Sequence, residues 1–184
     1  MPMQFEELDG ATRDFMLSEF DAEQSSGNPY FSPLLTAAGI AAFVRLMREA
    51  IANGNEVSLT AALVPVEYWH TTETYERNGV VRTRNVNIRQ ADERLALTEF
   101  NTWYVHGLAR RLLSEGVATC QAYRAAQPKW EPAECSAHEG QVFPVQEIYD
   151  GHRAKYHPAP GNPAAVSIPF GPGCHHTIRD IAVR

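Results

Sequence analysis

A chain of 184 residues, 44% hydrophobic and 21% charged, can bury one ordinary core or two small ones, which excludes a purely disordered segment. No run of about 18 apolar residues offers a bilayer span. The opening Met1-Pro-Met-Gln-Phe-Glu-Glu7 has neither the basic n-region nor the apolar h-region of a signal peptide, so the expected setting is a cytosol or a particle assembled in one.

The formal net charge of −6 has a local origin: residues 1–24 hold Glu6, Glu7, Asp9, Asp14, Glu19, Asp21 and Glu23 against Arg13 alone. The rest of the chain is balanced, with 15 acids and 15 bases. Such a balance supplies no basic footprint for a phosphate backbone and disfavours direct nucleic-acid binding. Three cysteines are too few for a disulfide framework.

Residues 11–23 read as a helix capped by Asp9 and ended by Gly27-Asn28-Pro29, with Phe15, Met16, Leu17 and Phe20 apolar among acids. Its acidic face is expected to be solvated or to dock a basic partner. A second helix spans 36–53, where Ile40, Phe43, Val44, Met47 and Ile51 follow the helical period, and a short third one spans 58–63. Residues 72–86 then change in kind. Asn78-Gly79 tolerates the positive φ of a type I′ turn, so the flanking runs form a β-hairpin, and pairing Arg77 with Val80 sets Glu73 opposite Arg84.

The longest helix is expected over 88–115, with Leu97, Phe100, Tyr104, Leu108 and Leu112 on one stripe and Gly107 permitting close packing or a slight bend. Glu99 and His106 lie on it seven residues apart, too far for one metal ion, and read as structural. After Gly116, residues 117–123 alternate as a strand that turns Cys120 toward a close-packed side. Six prolines between 128 and 163 make the following region turns and short strands, and the segment Tyr149–His157 reads as a solvated loop.

Cys135-x-x-His138 and Cys174-His175-His176 bound that region. Together they offer two thiolates and two imidazoles, the ligand set of a closed structural zinc site. Alternate residues of an extended segment point the same way, so Cys174 pairs better with His176 than with His175. The proposed ligands are Cys135, His138, Cys174 and His176, and a zinc ion would clip a segment with few apolar residues of its own.

At these residues the chain resembles the minor head protein domain of tailed phages, the family named for the phage Mu F protein. That family has a Thr-Glu pair on a helix, a Gly-Val turn into a strand, Cys-x-x-Cys with a downstream Gly-x-Val, and a final Cys-x-Cys-Thr. Here the same order runs through Thr98-Glu99, Gly116-Val117, Cys135-x-x-His138 with Gly140-Gln-Val142, and Cys174-His175-His176-Thr177. His138 and His176 stand where the family has the second cysteine of each pair, an exchange of one zinc ligand for another. Gly171 stands where the family has a histidine. The resemblance covers residues 88–180 and is silent on the first 87.

The resemblance implies a virion component, a minor capsid or head-morphogenesis protein present in the virion and, during assembly, in the host cytoplasm. It would bind portal or capsid proteins, with oligomerisation possible within an assembly, without a membrane and without a need for catalysis. The enzymatic alternative is a zinc-dependent hydrolase using Glu139 or Asp150. Deaminase and zincin motifs fail: His138-Glu139 is not His-x-Glu, and no His-Glu-x-x-His occurs. The expected architecture is α+β, with residues 1–87 forming helices and a hairpin, and 88–184 a long helix on a small set of strands with a zinc-clipped loop region.

Overall fold

The computed structural model describes residues 2–127, 136–171 and 173–182. Cys135, one of the four expected zinc ligands, lies outside the described residues. The fold mixes helices with two small antiparallel sheets, as expected of an α+β protein. No helix among the described residues is long and apolar enough to cross a membrane. Contacts divide the chain into a unit of Phe31–Leu97 and a discontinuous unit of Met1–Tyr30 with Thr98–Arg184.

In the first of these units, helix α2 (Ala37–Asn53) starts where the Thr36 side chain accepts the Gly39 N–H. Helix α3 (Glu56–Ala62) begins two residues earlier than expected because Asn55 and Ser58 form a reciprocal capping box. Phe43, Met47, Ile51, Leu59, Leu63 and Trp69 are buried, and the Trp69 indole N–H donates to the Leu63 carbonyl at 2.8 Å. Gly39 lies so close to the Tyr68 carbonyl that a Cβ there would overlap it. Strands β1 (Thr72–Arg77) and β2 (Val80–Asn85) pair in the expected register, with Glu73 opposite Arg84 and their side chains 2.7 Å apart. Asn78 and Gly79 take φ of 55° and 72°, as a type I′ turn requires.

Helix α4 (Ile88–Ser114) is continuous. Its part from Thr98 onward belongs to the discontinuous unit, with helix α1 (Gly10–Ser25), strand β3 (Thr119–Arg124), strand β4 (Val142–Pro144), helix α5 (Val145–Asp150) and strand β5 (His176–Asp180). The sheet order is β4-β3-β5, antiparallel throughout. Asp9 caps α1 through the Thr12 N–H at 2.9 Å. Gly107 allows α1 to approach α4: a Cβ there would lie 2.7 Å from the Met16 nitrogen. Trp103, Tyr104, Phe100, Met16 and Phe20 form the heart of this core.

The segment before α1 is part of the same core. Phe5 packs on Phe100 and Tyr104, Gln4 donates its N–H to the Ala125 carbonyl at 2.8 Å, and the Tyr123 hydroxyl donates to the Gln4 carbonyl at 2.8 Å. Buried Arg111 of α4 gathers Glu7, Asp9 and Thr12. Cys120 and Ala122 face inward from β3, in line with the expected alternation, and burial pushes the Cys120 thiol up to about 12.

Candidate functional site

The last strand brings two of the expected ligands together. Cys174 follows a turn in which its N–H reaches the Gly171 carbonyl at 3.1 Å and Gly173 takes φ of 75°. His176, the first residue of β5, pairs with Arg124 of β3. Its carbonyl accepts the Asn101 side-chain N–H at 2.8 Å, which ties the strand to α4. Cys174 Sγ lies 3.6 Å from His176 Nδ1, and the His176 backbone N–H donates to the same sulfur at 3.4 Å. Both side chains are buried. Bond lengths of about 2.3 Å to sulfur and about 2.0 Å to nitrogen at a tetrahedral angle put two such ligands about 3.6 Å apart, so this pair has the spacing of one tetrahedral edge.

His138 is placed otherwise. It ends a 3-10 turn over Ser136–His138, which Gly140 anchors to β3 by donating its N–H to the Ala122 carbonyl at 2.8 Å. Its Nδ1 is 3.1 Å from Gln141 Oε1, and its ring stacks on Phe170 with centroids 4.0 Å apart. Phe170 in turn meets the His176 ring edge-on at 6.1 Å. Among the described residues no group of three or more His, Cys, Asp or Glu side chains is arranged to hold a metal ion.

The two acids of the hydrolase alternative differ in placement. Glu139 Oε2 accepts from Arg124 at 3.0 Å and lies 4.0 Å from His176 Nε2, beside the Cys/His pair. Asp150, on α5, accepts the Gln146 side-chain amide at 2.8 Å.

A second cluster joins residues that no sequence motif links. Glu19 and Glu23, one turn apart on α1, point into the protein. His106 Nε2 lies 3.1 Å from Glu19, which also accepts the Tyr149 hydroxyl at 3.1 Å. His152 Nε2 lies 3.1 Å from Glu23, and Arg153 donates to the same carboxylate at 3.2 Å. The two imidazoles stack with centroids 3.9 Å apart. Arg153, which adopts φ of 54°, also grips Glu99 and lies over the rings of Trp103 and Tyr30.

Two expectations are corrected here. The acidic face of α1 is not wholly solvated: Glu19 and Glu23, two of its four acids, serve these internal pairs. Nor is Tyr149–His157 a solvated loop, since His152 and Arg153 are among its most enclosed members. The available signal was the four-residue spacing of Glu19 and Glu23, which places both on one face of a helix.

The electrostatics follow from burial. Loss of water pushes His152 down to about 3, a shift that its hydrogen bond with Glu23 opposes but does not cancel. For Glu23 burial works upward, yet the His152 hydrogen bond and the Arg153 charge hold it at about 2. The hydrogen bond from His106 holds Glu19 below the usual carboxylate range. At neutral pH the cluster is two carboxylates, a fixed guanidinium and an uncharged His152, an arrangement suited to joining α1, α4 and the segment after α5.

No protein family, no curated protein and no solved structure matches the chain.

Proposed function

We propose that this chain is a structural component of a tailed-phage or prophage virion, a minor capsid or head-morphogenesis protein that acts by binding portal or capsid proteins. The order of motifs from Thr98-Glu99 to Cys174-His175-His176-Thr177 motivates the reading. The observation that carries it is the use made of the Cys174–His176 pair. It is buried where β5 enters the sheet, and the His176 carbonyl is bonded to α4, a placement that fits a structural role. Cys135, His138, Cys174 and His176 would together hold one zinc ion as a clip, and Glu139, tied by Arg124, would lie just outside it.

The flanking genes test the setting, with portal and capsid genes expected beside this one, and co-expression with the proteins they encode, followed by gradient sedimentation of the assembled heads, tests the role. The chain is expected to sediment with heads as a minor component, and its exclusion from heads overturns the reading. Metal analysis tests the clip separately. About one zinc per chain and a lower melting temperature with chelator are expected. Zinc-free protein whose melting ignores chelator overturns the clip alone.

A further inference from the structure

The hairpin presents two outer strand edges of opposite character. Every residue of β2 is exposed, as are Thr72, Thr74, Glu76 and Arg77 of β1. Among the described residues no other strand pairs with either edge. A two-stranded sheet exposed in this way is marginal by itself and gains from further strands. Natural edges are normally protected against such pairing by charge, proline or bulges. β1 and β2 are in unbroken register over six residue pairs, with neither proline nor bulge, so only their charges can decide what each edge accepts.

Backbone direction fixes the choices. Val86 donates its N–H to the Thr71 carbonyl at 2.9 Å, which continues the ladder and assigns the odd-numbered residues of β1 to bonding with β2. The backbone groups of Thr72, Thr74 and Glu76 therefore face outward. The side chains of Glu73, Tyr75 and Arg77 share one face of the sheet.

We propose that the β1 edge is a self-association site that accepts β1 of a second copy of this chain. The strands pair antiparallel about a two-fold axis at Tyr75, making a four-stranded sheet. In that register Thr74 and Glu76 exchange backbone hydrogen bonds with Glu76 and Thr74 of the second copy. Tyr75 meets Tyr75, and Glu73 of each copy lies opposite Arg77 of the other. The pairing is isologous and closed, the commonest symmetry of homo-oligomers.

The neighbouring registers are worse. A shift one way leaves Arg77 without a carboxylate, and a shift the other way sets Glu76 against Glu76. The β2 edge repels itself, because registers centred on Arg82 or Thr83 bring arginines face to face. Arg77 is open to this role, since its partner within the hairpin is the uncharged Val80. One pair of six-residue strands buries less than a standard interface, so the dimer depends on concentration.

Sedimentation equilibrium of the full chain across a concentration series tests this. Mass rising from one chain to two and stopping there is the expected result. Arg77→Glu should weaken the dimer at least about tenfold while leaving the circular dichroism melt of the dilute, monomeric chain unchanged, because it touches no pair inside the hairpin. The double variant Glu73→Arg with Arg84→Glu keeps the hairpin's own ion pair in reversed form and should also be monomeric. An equal mixture of that variant with Arg77→Glu restores both intermolecular pairs and should dimerise. A monomer at every concentration, a dimer indifferent to Arg77→Glu, or growth past two chains through β1-to-β2 pairing would each overturn the proposal.

Discussion

Arg153 and Glu99 meet in a double hydrogen bond, Nη2 at 2.7 Å and Nη1 at 3.2 Å from the two carboxylate oxygens, with 2% and 4% of their side chains exposed. A buried pair of this geometry is a weak net stabiliser, but losing one member strands the other charge away from water. Glu99→Gln or Arg153→Met is each expected to cost about 3 kcal/mol. The double variant should cost clearly less than the sum, because it leaves no orphaned charge. Urea midpoints of the four proteins check this, and strict additivity would show that the pair is not energetically coupled.

Acid should weaken the same region in a defined window. His152 binds its proton near pH 3 in the folded chain against about 6.5 when unfolded, so its contribution is present above pH 6.5 and lost as pH falls toward 3. Glu23 titrates near 2 when folded against 4.5 otherwise, so it adds a second loss below pH 4.5. Between pH 7 and pH 4.5 the first effect alone approaches about 2 kcal/mol. His152→Gln keeps a donor for Glu23 but does not titrate. Its melting temperature should fall less over this range than that of the unaltered chain, and equal slopes would exclude His152 as the sensor.

Gly107→Ala sets two effects against each other. Alanine favours the helix by about 1 kcal/mol, but its Cβ would stand 2.7 Å and 2.8 Å from the Met16 nitrogen and Cα. Backbone cannot yield as a side-chain tip can, and overpacking costs about 1 to 3 kcal/mol. A lower melting temperature is therefore expected. A rise would mean that α1 moves aside freely.

Cys120 should behave as an inert hydrophobe. Its thiol is buried and held in the protonated form up to about pH 12. Mass spectrometry after brief iodoacetamide treatment at pH 8 should find it unmodified in native protein and modified after denaturation. Native labelling would reveal opening of the β4-β3-β5 sheet.

Local rules made much of the fold legible. Asn78-Gly79 set the hairpin register down to the Glu73–Arg84 pair, Asp9 marked the start of α1, and alternation turned Cys120 inward, each through interactions among near neighbours in sequence. α5 escaped because six residues behind Pro144 carry too little periodicity to separate a helix from the surrounding turns. The Glu19, Glu23, His106, His152 and Arg153 cluster escaped for a different reason. Its members are about 130 residues apart at the extremes, and a polar side chain looks solvated until tertiary structure supplies its partner. Alternation also puts Cys174 and His176 on one side of the chain, where their side chains come within 3.6 Å. The stacking of His138 on Phe170 had no counterpart in the spacing of the motif.

The discontinuous unit also imposes a timetable on synthesis. Residues 3–30 find Tyr104, Arg111, Tyr123, His152 and Arg153 only after the whole of Phe31–Leu97 has been made. Emerging first, they must wait with Phe5, Met16 and Phe20 unsheltered while the intervening segment closes contacts of its own. Non-local pairing is the slow step of folding, and exposed apolar surface is when aggregation occurs. Seven acids against Arg13 before residue 24 give that segment a net negative charge, and like charge favours solubility of an exposed chain.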